Sequence, residues 1–495
     1  MTLDTDPGAS AQAAAFHTGS HDRDVSPALD AFMGTGWAAT PLPADARVPG
    51  YALTGARRER LTAAFPGERL IVPAGQLKVR SNDSDFRFRP HSAYAWLTGL
   101  TGEDQVGHVL VLEPTGEAFL HLRPRSPRGG DSAYGSEFYR DRRYGEFWVG
   151  RRPDLDEAAQ LTGVRTRHLD DLAKLLTGPQ PTTRVLTGVD PEIDDATGRG
   201  GDRGTTPHDA RLAAVLSELR LVKDEWEVAQ LQLAVDHTVS GFEDVVRALP
   251  AALRHPRGER WIEGTFGRRA RAEGNGTGYE TIAATGAHAC VLHWIRNDGP
   301  LDPGHLLLLD AGVETDTLYT ADITRTLPLS GTFSPLQRQV YELVLAAQDA
   351  GIAALRPGAS FRDFHQAAMR VVAEGLADWG VLRISAEEAL REDSGLFRRW
   401  TLCSSGHMLG LDVHDCAKAR AETYLDGELA EGQVLTVEPG LYLQPDDEFL
   451  PKELRGIGVR IEDDLVITAD GARLMSGALP RTVAGIEEWM GDLLA

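Results

Sequence analysis

The hydrophobic pattern changes character several times along the chain. Residues 1–55 show little periodicity and are rich in Ala, Gly, Pro, Asp and Ser, which predicts a poorly ordered arm. From Glu68 onward short apolar runs alternate with Gly and Pro. Residues 107–112 and 117–122 are two such runs, joined by Glu113-Pro-Thr-Gly116. Apolar runs separated by Pro and Gly predict a strand, a turn and a second strand. Residues 154–161 and 169–176 read as short helices, so this part is mixed α/β. A Gly-rich polar stretch over 194–207 marks a nearby domain border. A long helix is then predicted from Asp224, whose spacing to Glu227 matches a capping box. Val228, Leu231 and Val235 continue it as an apolar stripe at spacings of three and four. Strands are predicted at 306–309, 433–437 and 458–461, and helices at 337–351 and 361–374.

The pattern thus predicts an α/β (α+β) chain in three parts: the arm (1–55), a first domain (56–219) and a second (220–495). A length of 495 residues is comfortable for two domains. With 42% hydrophobic and 25% charged residues, the composition is that of an ordinary globular protein. No apolar run approaches the roughly 18 residues of a membrane span, and the start lacks the basic and apolar regions of a secretory signal. Cys290, Cys403 and Cys416 form no CxxC pair. Together these features lead to the expectation of a cytoplasmic protein without a disulfide scaffold. A net charge of −22 excludes a general affinity for nucleic acid. It also raises the question of whether any of the carboxylates converge.

Four of them stand flush against apolar strands. Asp310 closes Leu306-Leu-Leu-Leu, and Asp322 sits in the β-favouring run Tyr319-Thr-Ala-Asp-Ile-Thr. Glu438 follows Val434-Leu-Thr-Val, and Glu462 follows Gly458-Val-Arg-Ile. A lone ionised carboxylate in such a place costs several kcal/mol unless it is paired or bound to a cation. One acid at a strand end is commonly a turn or cap residue. Four, together with His407 in Gly406-His-Met-Leu-Gly-Leu-Asp-Val-His414, form a candidate metal site. Oxygen-rich ligation with one imidazole suits Mn²⁺, Co²⁺, Zn²⁺ or Fe²⁺. Since carboxylates bridge, five such side chains can hold two ions about 3.5 Å apart.

At these residues the chain resembles the pita-bread metallopeptidases, specifically aminopeptidase P, the Xaa-Pro aminopeptidases. The matching stretches are LLLLDAG (306–312), YTADITRT (319–326), GHMLGLDVHD (406–415), VLTVEPGLY (434–442) and RGIGVRIEDDLVIT (455–468). CVLHW (290–294) matches a further histidine block. VRSNDSDFRFRPHS (79–92), WLTGL (96–100) and EFWVGRR (146–152) are similar to the family's amino-terminal domain. The resemblance runs in order over about residues 56–490. It implies an aminopeptidase P-type domain followed by a pita-bread catalytic domain, a curved antiparallel sheet covered by helices.

The resemblance further implies cleavage of the N-terminal Xaa-Pro bond of peptides by a hydroxide between two divalent ions, most often Mn²⁺. Asp310 would bind one ion, Asp322 and Glu462 would bridge both, and His407 and Glu438 would complete the second. Glu438 would also shuttle the proton, His414 would stabilise the oxyanion, His293 would hold substrate at the mouth, and Arg460 would lock the carboxylates. Tyr442 and Trp148 would wall the proline pocket. A homodimer or homotetramer is expected. One departure stands out: many relatives carry a histidine four residues before the ligand histidine, where this chain has Cys403. Prolidase, an Xaa-Pro dipeptidase, shares most of these motifs and stays open as an alternative. A non-catalytic binding protein and creatinase-like C–N hydrolysis both fit less well, because all five ligands are retained.

Overall fold

The computed structural model describes residues 25–128, 137–177, 181–201 and 205–495. The chain divides into two compact units, Met1–Leu212 and Ala213–Ala495. The division falls inside the helix Pro207–Arg220. Among the described residues no helix is long and apolar enough to cross a membrane.

The first unit departs from expectation at its start. Residues 1–24 of the expected arm lie outside the described residues, but beyond them the chain has structure. Helix α1 (Pro27–Met33) is N-capped by the Ser26 hydroxyl and has Pro at its first position, a start signal that Ala- and Gly-rich surroundings obscured. Trp37 packs edge-on against Phe138 at 5.1 Å, and Val48 N donates to Leu161 O at 3.1 Å. Helix α2 (Tyr51–Ala63) follows. The unit's sheet comprises β1 (Arg69–Pro73), β2 (Val109–Leu112), β3 (Ala118–Leu122), β4 (Arg165–His168) and β5 (Thr183–Val185), in the order β4-β3-β2-β1-β5. The expected hairpin is present, with Val109 opposite His121 and Leu112 opposite Ala118. Helix α3 (Leu155–Thr162) opens on an Asp154–Glu157 capping box, and α4 (Asp170–Thr177) packs Leu172 against Ile71, Val109 and Val111. In the Gly-rich stretch Pro191–Ala196 is helical, while residues 202–204 lie outside the described residues.

The second unit is built from antiparallel strands and long helices. Helix α5 (Glu225–Ala252) begins at the predicted capping box, where Glu227 N donates to Asp224 at 2.9 Å. Helix α6 (Gly258–Glu273) returns beside it. Strand β7 (Leu306–Ala311) lies between β6 (Ile282–Thr285) and β8 (Ile323–Pro328), so Asp310 faces Ile282 on one side and Thr324 on the other. Strand β9 (Val434–Val437) pairs with β12 (Asp463–Thr468), β10 (Gly440–Leu443) with β11 (Ile457–Arg460), and β12 with β13 (Gly471–Leu474). Helix α7 (Pro335–Ala354) lies on β9, β10 and β11, and α8 (Phe361–Asp378) packs on α7. A terminal helix α9 (Val483–Leu494) contacts α5 and α7.

This arrangement gathers strand ends. Asp322 precedes β8 rather than lying within it, Glu438 follows β9, and Glu462 separates β11 from β12. Glu462 N donates to Thr324 O at 3.0 Å, which stitches two of these ends together. The segment carrying His407 is laid against β9, with Thr436 N donating to His407 O at 2.9 Å. Gly406 makes that approach possible. Its φ is +158°, and a Cβ there would lie 2.1 Å from Thr436 O, so only glycine fits.

Arg325 holds the strand ends from behind. It is 1% exposed and donates to Asp463 Oδ1 at 2.6 Å, Glu462 O at 2.7 Å and Pro480 O at 2.9 Å. Asp463 also accepts from Gln348 Nε2 at 2.8 Å. Removing one partner of a buried ion pair strands the other charge. Arg325→Met is therefore expected to destabilise the second unit by about 3–5 kcal/mol. A denaturant titration followed by circular dichroism reads this, and an unchanged midpoint would show that the pair contributes nothing.

Candidate metal centre

The four acids and one imidazole predicted from separate stretches meet at one place. Ligating atoms of Asp322, His407 and Glu462 all lie within 4.8 Å of one another. His407 Nε2 is 3.3 Å from Asp322 Oδ2 and 3.5 Å from Glu438 Oε1. Asp310 joins through Tyr279, whose hydroxyl lies 2.6 Å from Asp310 Oδ1 and also bonds Asp322 Oδ1. Asp310, Asp322 and Glu462 are 7%, 5% and 1% exposed. They have therefore left water, which is costly for carboxylates without compensation.

Hydrogen bonds satisfy only part of that demand. Arg460 bonds Asp310 Oδ2, donates to Thr324 Oγ1 at 3.1 Å and to Tyr442 Oη at 2.9 Å. The Thr324 hydroxyl in turn donates a hydrogen bond to Glu462 Oε2 at 2.7 Å. Glu462 Oε1 is buried without a hydrogen-bond partner. The Nδ1 of His407 donates to Met408 O at 3.1 Å, because a carbonyl only accepts. With Nδ1 committed there, Nε2 is the ring atom turned toward two carboxylates. An orphaned buried oxygen and an imidazole nitrogen converging on acids fit a divalent cation of borderline hardness.

The electrostatics carry the same message. Burial, followed by the charges of Asp322, Glu438 and Asp310, pushes Glu462 well above the usual carboxylate range. Burial raises Asp310 against the pull of Arg460, and burial carries Glu438 up to about 7. Burial alone would lower His407, yet Asp322 and Glu438 outweigh it and bring the ring up to about 9. Four acids face one guanidinium and one imidazole, so the cluster is short of positive charge.

The remaining predicted residues fall into three positions. His414 is exposed, with its ring edge-on to His407 at 4.4 Å; burial and His407 hold it below its ordinary value. His293 is exposed and within electrostatic reach of His414. Cys403 is also exposed, with burial and Glu438 raising its thiol. Tyr442 is only 6% exposed, and its hydroxyl accepts from Arg460, which links it to the carboxylate network. Trp148 belongs to the first unit, is 49% exposed and donates to Tyr139 O at 2.6 Å.

Sequence reasoning missed four contributors. Tyr279 follows Gly278 in a polar stretch with no strand-end acid to mark it. Thr324 and Thr436 are ordinary β-formers whose hydroxyls matter only through register. Asp464 accepts from Asp322 N at 3.1 Å while its Oδ1 is buried without a partner; it was masked by lying in the run Glu462-Asp-Asp.

A buried cage of carboxylates and one imidazole, at the meeting of antiparallel strands, defines a metallohydrolase. Residues 229–469 match the model of metallopeptidase family M24, and residues 54–182 match that of the aminopeptidase P N-terminal domain. The chain belongs to metallopeptidase family M24, within its aminopeptidase P branch. It is 53% identical to Xaa-Pro aminopeptidase 1 of Streptomyces coelicolor, over 95% of this chain and 93% of that relative. It is 30% identical to the Xaa-Pro aminopeptidase of Escherichia coli, over 88% of this chain and 96% of that one. The structure of Escherichia coli aminopeptidase P with the inhibitor Pro-Leu matches with a TM-score of 0.77 at 27% identity, covering 90% of this chain and 99% of that one. A zinc-substituted form of that enzyme with product matches with a TM-score of 0.76 at 29% identity, covering 90% and 99%.

Tyr279 bonds two of the buried acids. Tyr279→Phe is expected to weaken divalent-cation binding by about 10–100-fold, the usual effect of losing an outer hydrogen bond to a ligand. Isothermal titration after chelation measures this. Unaltered affinity would remove Tyr279 from the site.

Proposed function

We propose that this protein removes the N-terminal residue from peptides whose second residue is proline, using two divalent ions held by Asp310, Asp322, His407, Glu438 and Glu462. The observation that carries the reading is the convergence of five side chains from five stretches, three with ligating atoms within 4.8 Å. Asp322 and Glu462, the most central acids, would be shared between the ions. Asp310 would help hold one, and His407 with Glu438 the other. Mn²⁺ is the native metal in this reading, with Co²⁺, Zn²⁺ or Fe²⁺ as substitutes. When bound, such ions supply Lewis acidity toward the scissile carbonyl and lower the pKa of water.

The chain's own groups do the rest. Glu438 is the least buried of the four acids, with a side chain 19% exposed, so it is placed to take the proton of the attacking water and hand it to the leaving proline nitrogen. His414 stands beside His407 on the open side and donates to the developing oxyanion. His293, also exposed, holds the substrate at the mouth. Arg460 keeps Asp310 and, through Thr324, Glu462 in register. An Xaa-Pro bond needs this dedicated site because proline fixes φ and lacks an N–H. The working unit is a cytoplasmic homodimer or homotetramer. Exposure of Phe147, Trp148 and Val149 on the first unit (61%, 49% and 59%) supports association.

The test is hydrolysis of an Xaa-Pro tripeptide against an Xaa-Pro dipeptide, after chelation, with and without added Mn²⁺. The tripeptide is expected to be cleaved and the activity to return with Mn²⁺; preference for the dipeptide would make the protein a prolidase. Asp322→Asn or Glu462→Gln is expected to lower kcat by several orders of magnitude, about 10³-fold or more, and to reduce bound metal. His414→Ala keeps its metal and loses about 10²-fold in kcat. Normal turnover in the acid variants would reject the assignment.

A further inference from the structure

His293 lies on an irregular segment, residues 286–299, that carries only a short 3₁₀ turn, Gly286–Cys290. A side chain on such a segment works only as well as its supports hold it. Asn297 ties the segment to Thr281 O and Ala283 N, and Gln444 Nε2 holds Cys290 O, but the support nearest His293 is a carboxylate. Glu259, in the first turn of α6, is 0% exposed. Its Oε1 accepts from Thr285 N at 2.9 Å, Thr285 Oγ1 at 3.2 Å and His288 Nδ1 at 2.8 Å. Its Oε2 accepts from Trp294 Nε1 at 2.9 Å and Gly299 N at 2.7 Å. Five donors saturate a group with about four lone-pair sites. They enter at the start of the segment, in its middle and at its end.

Two further observations show that the segment is shaped around this carboxylate. The rings of His288 and Trp294 stack at 3.9 Å, so two of the donors also brace each other. Gly299 has no room for a side chain, since a Cβ there would lie 2.8 Å from both Glu259 Oε2 and His288 Cε1. His293 immediately precedes one of the pinned residues, Trp294.

We propose that Glu259 is the positioning residue for His293: by pinning Thr285, His288, Trp294 and Gly299 to one buried carboxylate, it sets where the His293 imidazole meets the substrate. Glu259 touches neither substrate nor metal in this scheme. The proposal rests on the role given to His293 above.

The experiment is a double-mutant cycle with Glu259→Gln, His293→Ala and the double variant, reading kcat, KM and bound metal on an Xaa-Pro tripeptide. Glutamine keeps the shape but turns an NH₂ toward donors. Glu259→Gln is expected to lower kcat/KM by about 10–100-fold with metal content unchanged. In the His293→Ala background the same substitution is expected to change kcat/KM by less than about twofold, because positioning has nothing left to position. The full factor in both backgrounds, or loss of metal in Glu259→Gln, would overturn the proposal while leaving the peptidase assignment standing. Unchanged kcat/KM in His293→Ala alone would instead overturn the role of His293, and the positioning role with it. Should Glu259→Gln fail to fold, Trp294→Phe removes one donor and keeps the ring. It is expected to show a smaller loss that likewise vanishes without His293, and an additive loss would overturn the proposal.

Discussion

Mutual repulsion among buried carboxylates is the constraint around which the second unit is organised. Asp310, Asp322 and Glu462 are almost wholly removed from water, and Glu438 adds a fourth acid beside His407. Anions kept this close are unstable unless something positive comes among them. The polypeptide supplies one guanidinium, Arg460, and two relays, Thr324 and Tyr279. That is enough to fix the geometry and too little to neutralise the charge. The stored electrostatic demand is what makes the site a receptor for cations.

The same logic explains the layering behind the site. Arg460 works from the side of the ligands, where its planar fork meets Asp310, Thr324 and Tyr442 at once. Arg325 works from the opposite side and binds backbone oxygens as well as Asp463. One arginine orients carboxylates; the other fixes the chain that carries them. Neither could be exchanged for lysine without losing simultaneous contacts.

Much of this was legible in the sequence because the ligands interrupt strong patterns. An acid after four leucines, or after Val434-Leu-Thr-Val, breaks a run whose burial is otherwise certain, and that violation is the signal. Helix α5 was equally plain, since its capping box and stripe agree. What stayed hidden depended on register or distance. Thr324 matters because antiparallel pairing sets it opposite Asp310, and Tyr279 because it reaches two acids 31 and 43 positions away. Tyr442 carries a side chain whose direction no pattern reveals, and it turned inward to Arg460. Helix α1 was overlooked because composition outweighed a two-residue start signal, Ser26-Pro27.

The spread of the ligands along the chain has a consequence for biogenesis. Arg460 and Asp310, which touch in the finished molecule, are 150 positions apart in sequence. Contacts of such separation close late, since the entropy of a long loop must be overcome first. A nascent chain still emerging from the ribosome can therefore display Asp310 and Asp322 without owning a binding site. The cluster is complete only once nearly the whole second unit has been synthesised.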